Sequence, residues 1–260
     1  MKSICLVRRG NLGDVLLTEP IGRHFRALYP QVYLATEYPH AHHLIGDTYT
    51  GFVDYATIGA DADRYTKMID LRYEHHRDLH YIDGFALDAG IVLQDRMPRV
   101  NTRWAPLQKG AYVLIAPDTS SWRRAQRQWA PSRFGELRAR IVEELGLDVV
   151  VLNSRHSFTD MLSLIRNCRL FIGNDSGPGI IAQCFQQPAL IIFGITDPAK
   201  VLFSASARAV QRPYPPCTDC LAQLYNDDVC CAQPVCLTGL EVDEVFKAVC
   251  RRLEETEEAT

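Results

Sequence analysis

The sequence has no run of about 18 apolar residues, so no membrane-crossing helix is expected. Its N-terminus, MKSICLVRRG, offers only a short apolar stretch before two arginines, which reads as a first strand and not as a secretory signal. Net charge is also scarce: 28 Lys and Arg against 31 Asp and Glu leave −3, which argues against a nucleic-acid partner. The glycine spacing of a dinucleotide fingerprint and the lysine of a Walker loop are both missing. With no export signal, the expected location is the cytoplasm, where disulfides are disfavoured. Nine cysteines are then many, and five of them crowd between Cys217 and Cys236.

What is present is a repeated α/β pattern. SICLVR (3–8) is a buried-strand run, Asn11-Leu12-Gly13-Asp14 a turn, and Leu16, Leu17, Ile21, Phe25 and Leu28 fall at helical spacing over about Val15 to Leu28. Strands are expected at Val32 to Ala35, Phe52 to Tyr55 and Met68 to Leu71, and a helix over Tyr81 to Ile91. Residues 95–110, with Pro98, Pro106 and Gly110, read as a linker. The pattern restarts with strands at Tyr112 to Ala116, Val149 to Leu152, Leu170 to Gly173 and Ala189 to Phe193. Helices are expected at Pro131 to Leu145 and Phe158 to Cys168, and a last one at Glu241 to Leu253, before a frayed acidic tail. Two successive α/β halves follow, each with polar loops at the carboxyl ends of its strands, where such sheets bind ligands. The expected domains are 1–105, 106–240 with a cysteine-rich loop at 217–236, and a closing helix and tail at 241–260.

Three loops and one cysteine cluster carry candidate chemistry. Asp14, at the mouth of the first strand, reads either as a general base toward a hydroxyl or as a helix-capping carboxylate. The stretch Asp118 to Trp129 supplies the hydroxyls of Thr119, Ser120 and Ser121 with Arg123, Arg124 and Arg127, a set suited to a diphosphate unless it is a solvated basic loop. The stretch LFIGNDSGPG (170–179) ends a strand in Asp175, Ser176 and Gly177 and opens a helix, an anion site unless Asp175 or Ser176 only caps the helix. Cys217, Cys220, Cys230, Cys231 and Cys236 could hold zinc or iron; they could equally be small buried side chains or a redox-labile pair. The histidine groups His40/His42/His43 and His75/His76/His80 read mainly as solvated, with His76 or His80 within reach of an acceptor.

These motifs, in this order, resemble glycosyltransferase family 9, the bacterial heptosyltransferases. The resemblance rests on RRGNLGDVLLTEPI, Asp70-Leu71-Arg72, TSSWRRAQRQWAPSRFGEL and LFIGNDSGPGIIAQCFQQPALIIFGITDP, and covers most of the chain. It implies a GT-B fold, two Rossmann-like α/β/α domains facing across a cleft, and metal-independent, inverting transfer of a sugar, heptose from ADP-heptose, to a hydroxyl of a lipopolysaccharide, other glycan, lipid-linked glycan or protein. It makes Asp14 the catalytic base and Gly13, Thr119, Ser120, Arg127, Asp175, Ser176 and Gly177 the donor-binding residues. It also suggests a structural iron or zinc on the cysteine loop, and leaves room for a homo-oligomer and a peripheral membrane contact. Where the family's late motif has a histidine, this chain has Ile180, and the chain is compact between Tyr38 and Asp70 and at Asn153 to Phe158. The alternative is a non-catalytic nucleotide or nucleotide-sugar binding protein built on the same fold.

Overall fold

A computed structural model describes residues 2–76, 78–119, 124–212 and 234–258. The chain divides into two compact units, Met1–Trp104 and Ala105–Thr260. In the first, the strands β1 (Ser3–Val7), β2 (Gln31–Thr36), β3 (Gly51–Asp54) and β4 (Lys67–Asp70) form a wholly parallel sheet in the order β3-β2-β1-β4. β1 is central and buried at every residue, as its unbroken apolar run requires of a parallel strand covered on both faces.

The connections of this unit hold one departure from expectation. The single helix expected from Val15 to Leu28 is two: α1 (Leu12–Leu16) and α2 (Glu19–Arg26). Pro20 has no N–H to continue the ladder, and the Thr18 hydroxyl donates back to Val15 O at 2.7 Å, so the chain restarts with Thr18 as the cap of α2. A short α3 (His42–Ile45) and α4 (Tyr81–Ala89) complete the unit. Gly90 closes α4 at φ 67°, a left-handed position that glycine takes without steric cost.

In the second unit the order is β6-β5-β7-β8-β9, again all parallel: β5 (Val113–Ala116), β6 (Val149–Val151), β7 (Leu170–Asn174), β8 (Ala189–Ile192) and β9 (Ala207–Val210). β9 was not expected; it is an edge strand with two exposed residues, so its apolar signal is weak. The helices are α5 (Arg124–Arg127), α6 (Pro131–Leu145), α7 (Phe158–Asn167), α8 (Gly177–Cys184), α9 (Val235–Thr238) and α10 (Val242–Glu258). One face of the sheet buries Val113, Ile115, Leu170 and Ile172 against Phe134, Leu137 and Ile141 of α6 and Val245, Phe246 and Val249 of α10. α8 lies on the other face, where a Cβ on Gly179 would come within 3.3 Å of Ile191, and α7 packs beside it. The closing helix is thus part of this unit's core, and it runs on to Glu258 where a frayed tail was expected, with Arg169 paired to Glu257.

The expected linker at 95–110 leaves no free span. Arg23 donates to Met97 O at 3.0 Å and Arg99 N to the buried Glu19 carboxylate at 2.9 Å, both inside the first unit. From residue 105 onward the anchors belong to the second unit: Asn167 donates to Pro106 O at 3.0 Å and accepts from Gln108 N at 2.6 Å.

Candidate functional site

In each sheet the chain steps outward from a central strand, then returns to that strand's other side. The reversal lies between β1 and β4 in the first unit and between β5 and β7 in the second. At such a reversal the loops after the two strands part and leave a crevice at their carboxyl ends, the usual ligand position in doubly wound sheets. Of the expected site residues, Gly13 and Asp14 lie at the first of these points and Thr119, Arg127, Asp175, Ser176 and Gly177 at the second.

At the first, Asp14 sits in α1 just after β1. Its Oδ2 accepts from Asn11 N at 3.0 Å, so the carboxylate does cap the helix. Its Oδ1 accepts from the Tyr73 hydroxyl at 2.9 Å and lies 3.5 Å from Nη2 of Arg8. Gly13 is buried within α1. Gly10 approaches at φ 121°, where a Cβ would come 2.8 Å from Asp14 Oδ2, so only glycine leaves that oxygen its room.

Arg8, Tyr73 and Glu74 did not stand out in the sequence, yet they surround Asp14. Arg8 is 4% exposed; it donates to Leu71 O at 2.9 Å and to both oxygens of Glu74 at 2.8 and 2.7 Å. Its guanidinium lies 4.5 Å above the Tyr73 ring, which stacks in turn on Tyr81 with centroids 3.8 Å apart. Burial opposes the Arg8 charge, but the Glu74 hydrogen bond and the negative charges of Asp14 and Glu74 outweigh it and raise its pKa further. Burial, and next the charge of Asp14, push the Tyr73 phenol well above its ordinary value, so at neutral pH it keeps its proton and donates it to Asp14.

At the second reversal, Asn174 ends β7 fully buried. It donates to Pro117 O at 2.7 Å, after β5, and accepts from Trp129 N at 2.9 Å. One amide thus ties the Thr119 loop and the segment before α6 to the strand that presents Asp175. Asp175, with 4% of its side chain exposed, accepts from Arg127 at 2.6 Å. Ser176 is the cap residue of α8, but its hydroxyl donates to Asn174 O at 3.2 Å and makes no capping bond. Neither side chain is therefore a simple cap. Gly177 opens the helix, Pro178 has no N–H to offer, and the positive end of α8 faces the crevice side of the strand. Thr119 is buried at 3% exposure. Ile180 is buried at 6% exposure and brings no polar group to the first turn.

Other expected residues lie elsewhere. Ser120, Ser121, Arg123, Cys217, Cys220, Cys230 and Cys231 are outside the described residues. Cys236 is in α9, in the apolar core of the second unit, and among the described residues no three His, Cys, Asp or Glu side chains gather into a metal-binding group. His76 is bound to Asp88 at 2.7 Å, and His80 caps α4 by accepting from Ile82 N at 3.2 Å, so both are built into the turn after β4. His43 meets Trp104 edge-on at 4.8 Å; burial, then the neighbouring His42 and His40, lower its pKa.

Residues 129–224 match the family model described as glycosyltransferase family 9 (heptosyltransferase). No curated protein matches the chain. Among solved structures it is similar to the iron-containing dodecameric glycosyltransferase TibC of enterotoxigenic E. coli H10407, with a TM-score of 0.75 at 15% identity over 98% of this chain and 76% of that one. ADP-heptose lps heptosyltransferase II of E. coli gives 0.64 at 13% identity over 99% and 100%. A glycosyltransferase family 9 protein of Veillonella parvula DSM 2008 gives 0.70 at 13% identity over 98% and 97%. At such identities the structural likeness is one of fold. Residues 129–224 are thus similar to glycosyltransferase family 9 (heptosyltransferase), and the chain has the parallel α/β fold of solved heptosyltransferases.

Proposed function

We propose that the chain transfers a heptose from ADP-heptose, with inversion, to a hydroxyl of a lipopolysaccharide, other glycan, lipid-linked glycan or protein. The match of residues 129–224 to the family 9 model supports a glycosyltransferase. The donor assignment draws on solved neighbours of the same fold, TibC in complex with ADP-D-beta-D-heptose and E. coli WaaC with ADP-2-deoxy-2-fluoro heptose. The observation that carries the reaction is Asp14: a carboxylate held at the mouth of β1 with one oxygen, Oδ2, taking a single donor. It deprotonates the acceptor hydroxyl, which attacks the anomeric carbon from the face opposite the diphosphate. Arg127, the hydroxyls of Thr119 and Ser120, and the start of α8 at Ser176 and Gly177 stabilise the departing diphosphate; Asp175 holds Arg127 at 2.6 Å in the orientation for it. Gly13 keeps the first helix close to the donor.

No step passes through a metal. The cysteine segment is read as a structural iron or zinc loop, on the analogy of iron-containing TibC, whose dodecamer likewise makes a homo-oligomer the natural expectation. Cys236, the described member of the set, lies in the apolar core of the second unit. No helix among the described residues is long and apolar enough to cross a membrane. Ile180 favours one rival, a protein that binds the nucleotide sugar without turning it over, because its buried side chain supplies no donor where the family places histidine.

The deciding experiment compares the parent with Asp14→Asn for ADP release from ADP-heptose and for ADP binding by calorimetry. Transfer should fall by about 10²–10⁴-fold, the usual worth of a general base, with ADP affinity unchanged. ADP binding without any turnover in the parent would select the rival.

A further inference from the structure

Asp14 is held by groups that reach it from three separate stretches. From the end of β1 comes Arg8, from α1 its own neighbour Asn11 N, and from the turn after β4 come Tyr73 and Glu74, with Tyr81 and Phe85 of α4 behind them. The donors are shared unequally. Oδ1 meets the Tyr73 hydroxyl at 2.9 Å and Arg8 Nη2 at 3.5 Å, whereas among the described residues Oδ2 meets only Asn11 N, at 3.0 Å, and stands over the bare Cα of Gly10. Each carboxylate oxygen has two lone-pair sites. Oδ1 is held by one hydrogen bond and the Arg8 charge, and Oδ2 keeps one site on the side that glycine leaves open.

Arg8 is clamped in the same way. Its two terminal nitrogens serve Leu71 O and both oxygens of Glu74, and its buried Nε has no hydrogen-bond partner among the described residues. A buried guanidinium with an unserved donor is costly for stability, and an apolar side chain could fill its place more cheaply. Its position between two carboxylates gives it a charge role instead: Glu74 neutralises Arg8, so Asp14 is oriented by a cation without facing its whole field. Tyr73, whose phenol burial keeps protonated, adds a hydrogen bond that holds Oδ1 in place.

Resting on the reading of Asp14 as the base, we propose that Tyr73 and the Glu74-clamped Arg8 are its positioning residues, fixing Oδ1 so that Oδ2 receives the acceptor hydroxyl over Gly10. Two substitutions that keep shape isolate the two supports. Tyr73→Phe keeps the stack on Tyr81 and the Arg8 contact but removes the hydroxyl. Glu74→Gln keeps the volume but frees the Arg8 charge to act on Asp14.

The test uses the full chain with ADP-heptose as probe and reads kcat and KM for ADP release together with the urea midpoint of each variant. Tyr73→Phe and Glu74→Gln should each lower kcat about tenfold with KM and the urea midpoint at the parent's values, and neither should lower kcat further in an Asp14→Asn background. An unchanged kcat, or a loss that persists in the Asp14→Asn background, overturns the proposal. If Glu74→Gln fails to fold, Tyr73→Phe decides alone by the same readout. Asp14→Asn at the parent's kcat rejects the base assignment, whereas an impaired Asp14→Asn with Tyr73→Phe at the parent's kcat rejects the positioning alone.

Discussion

At Gly10 the backbone leaves β1 with φ 121°, and a Cβ there would meet Asp14 Oδ2 at 2.8 Å. Two separate penalties follow for any other residue. The conformation itself costs a side-chain-bearing residue about 1–3 kcal/mol. The methyl group of an alanine would also cover the carboxylate oxygen that has a site left to accept a proton. Gly10→Ala should therefore lower the unfolding free energy by about 1–3 kcal/mol in urea titration. It should also cut ADP release from ADP-heptose at least tenfold at a temperature where the variant remains folded. A variant that loses stability but keeps its rate would show that Oδ2 is not the working oxygen.

At the scale of the elements, Trp129 joins more parts of the second unit than its place between α5 and α6 suggests. Its ring is fully buried, lies edge-on to Phe134 with centroids 4.9 Å apart, and donates through Nε1 to Leu240 O at 2.9 Å, ahead of α10. Its backbone N–H holds the Asn174 amide that ends β7. Trp129→Ala removes a large core side chain and leaves a cavity between α6 and the α9–α10 segment, so it should cost about 3–5 kcal/mol of unfolding free energy. Urea unfolding followed by fluorescence of the remaining tryptophans checks this; a loss below 1 kcal/mol would mean the site collapses around the gap. Elements of this kind were legible to different degrees. The buried strands announced themselves as short unbroken apolar runs, and α6 was bounded by Pro131 and Gly146, the latter at φ 64°. The break between α1 and α2 was not, because Pro20 is tolerated in a helix's first turn and only the Thr18 back-bond shows that a new helix starts there. The loops bearing Asp14, Arg127 and Asp175 were visible as polar ends of apolar strands. The partners of Asp14 were not, since Arg8 and Glu74 are 66 residues apart and only the parallel pairing of β1 with β4 brings them together.

Taken whole, the chain is two parallel sheets, each with its own core and its own reversal point, and the passage between them is short. Residues up to Arg103 are fastened to the first unit, where Arg103 donates to Asp47 at 2.6 Å. Residues from Ala105 onward are fastened to the second, where Arg166 donates to Ala105 O and Lys109 to Gln187 at 2.7 Å. Each side is large enough to bury a core without the other. The proposed donor residues Thr119, Arg127, Asp175, Ser176 and Gly177 all lie on the second side. A fragment spanning residues 105–260 should thus melt in one cooperative transition, followed by circular dichroism. ADP should raise its midpoint, because a ligand at a hundred times its Kd adds about 2.7 kcal/mol to the stability of the form that binds it. A fragment that melts without cooperativity would show that its core depends on the first unit. A cooperative melt that ADP leaves unmoved would show instead that Arg127, Asp175 and the start of α8 do not suffice to hold the nucleotide.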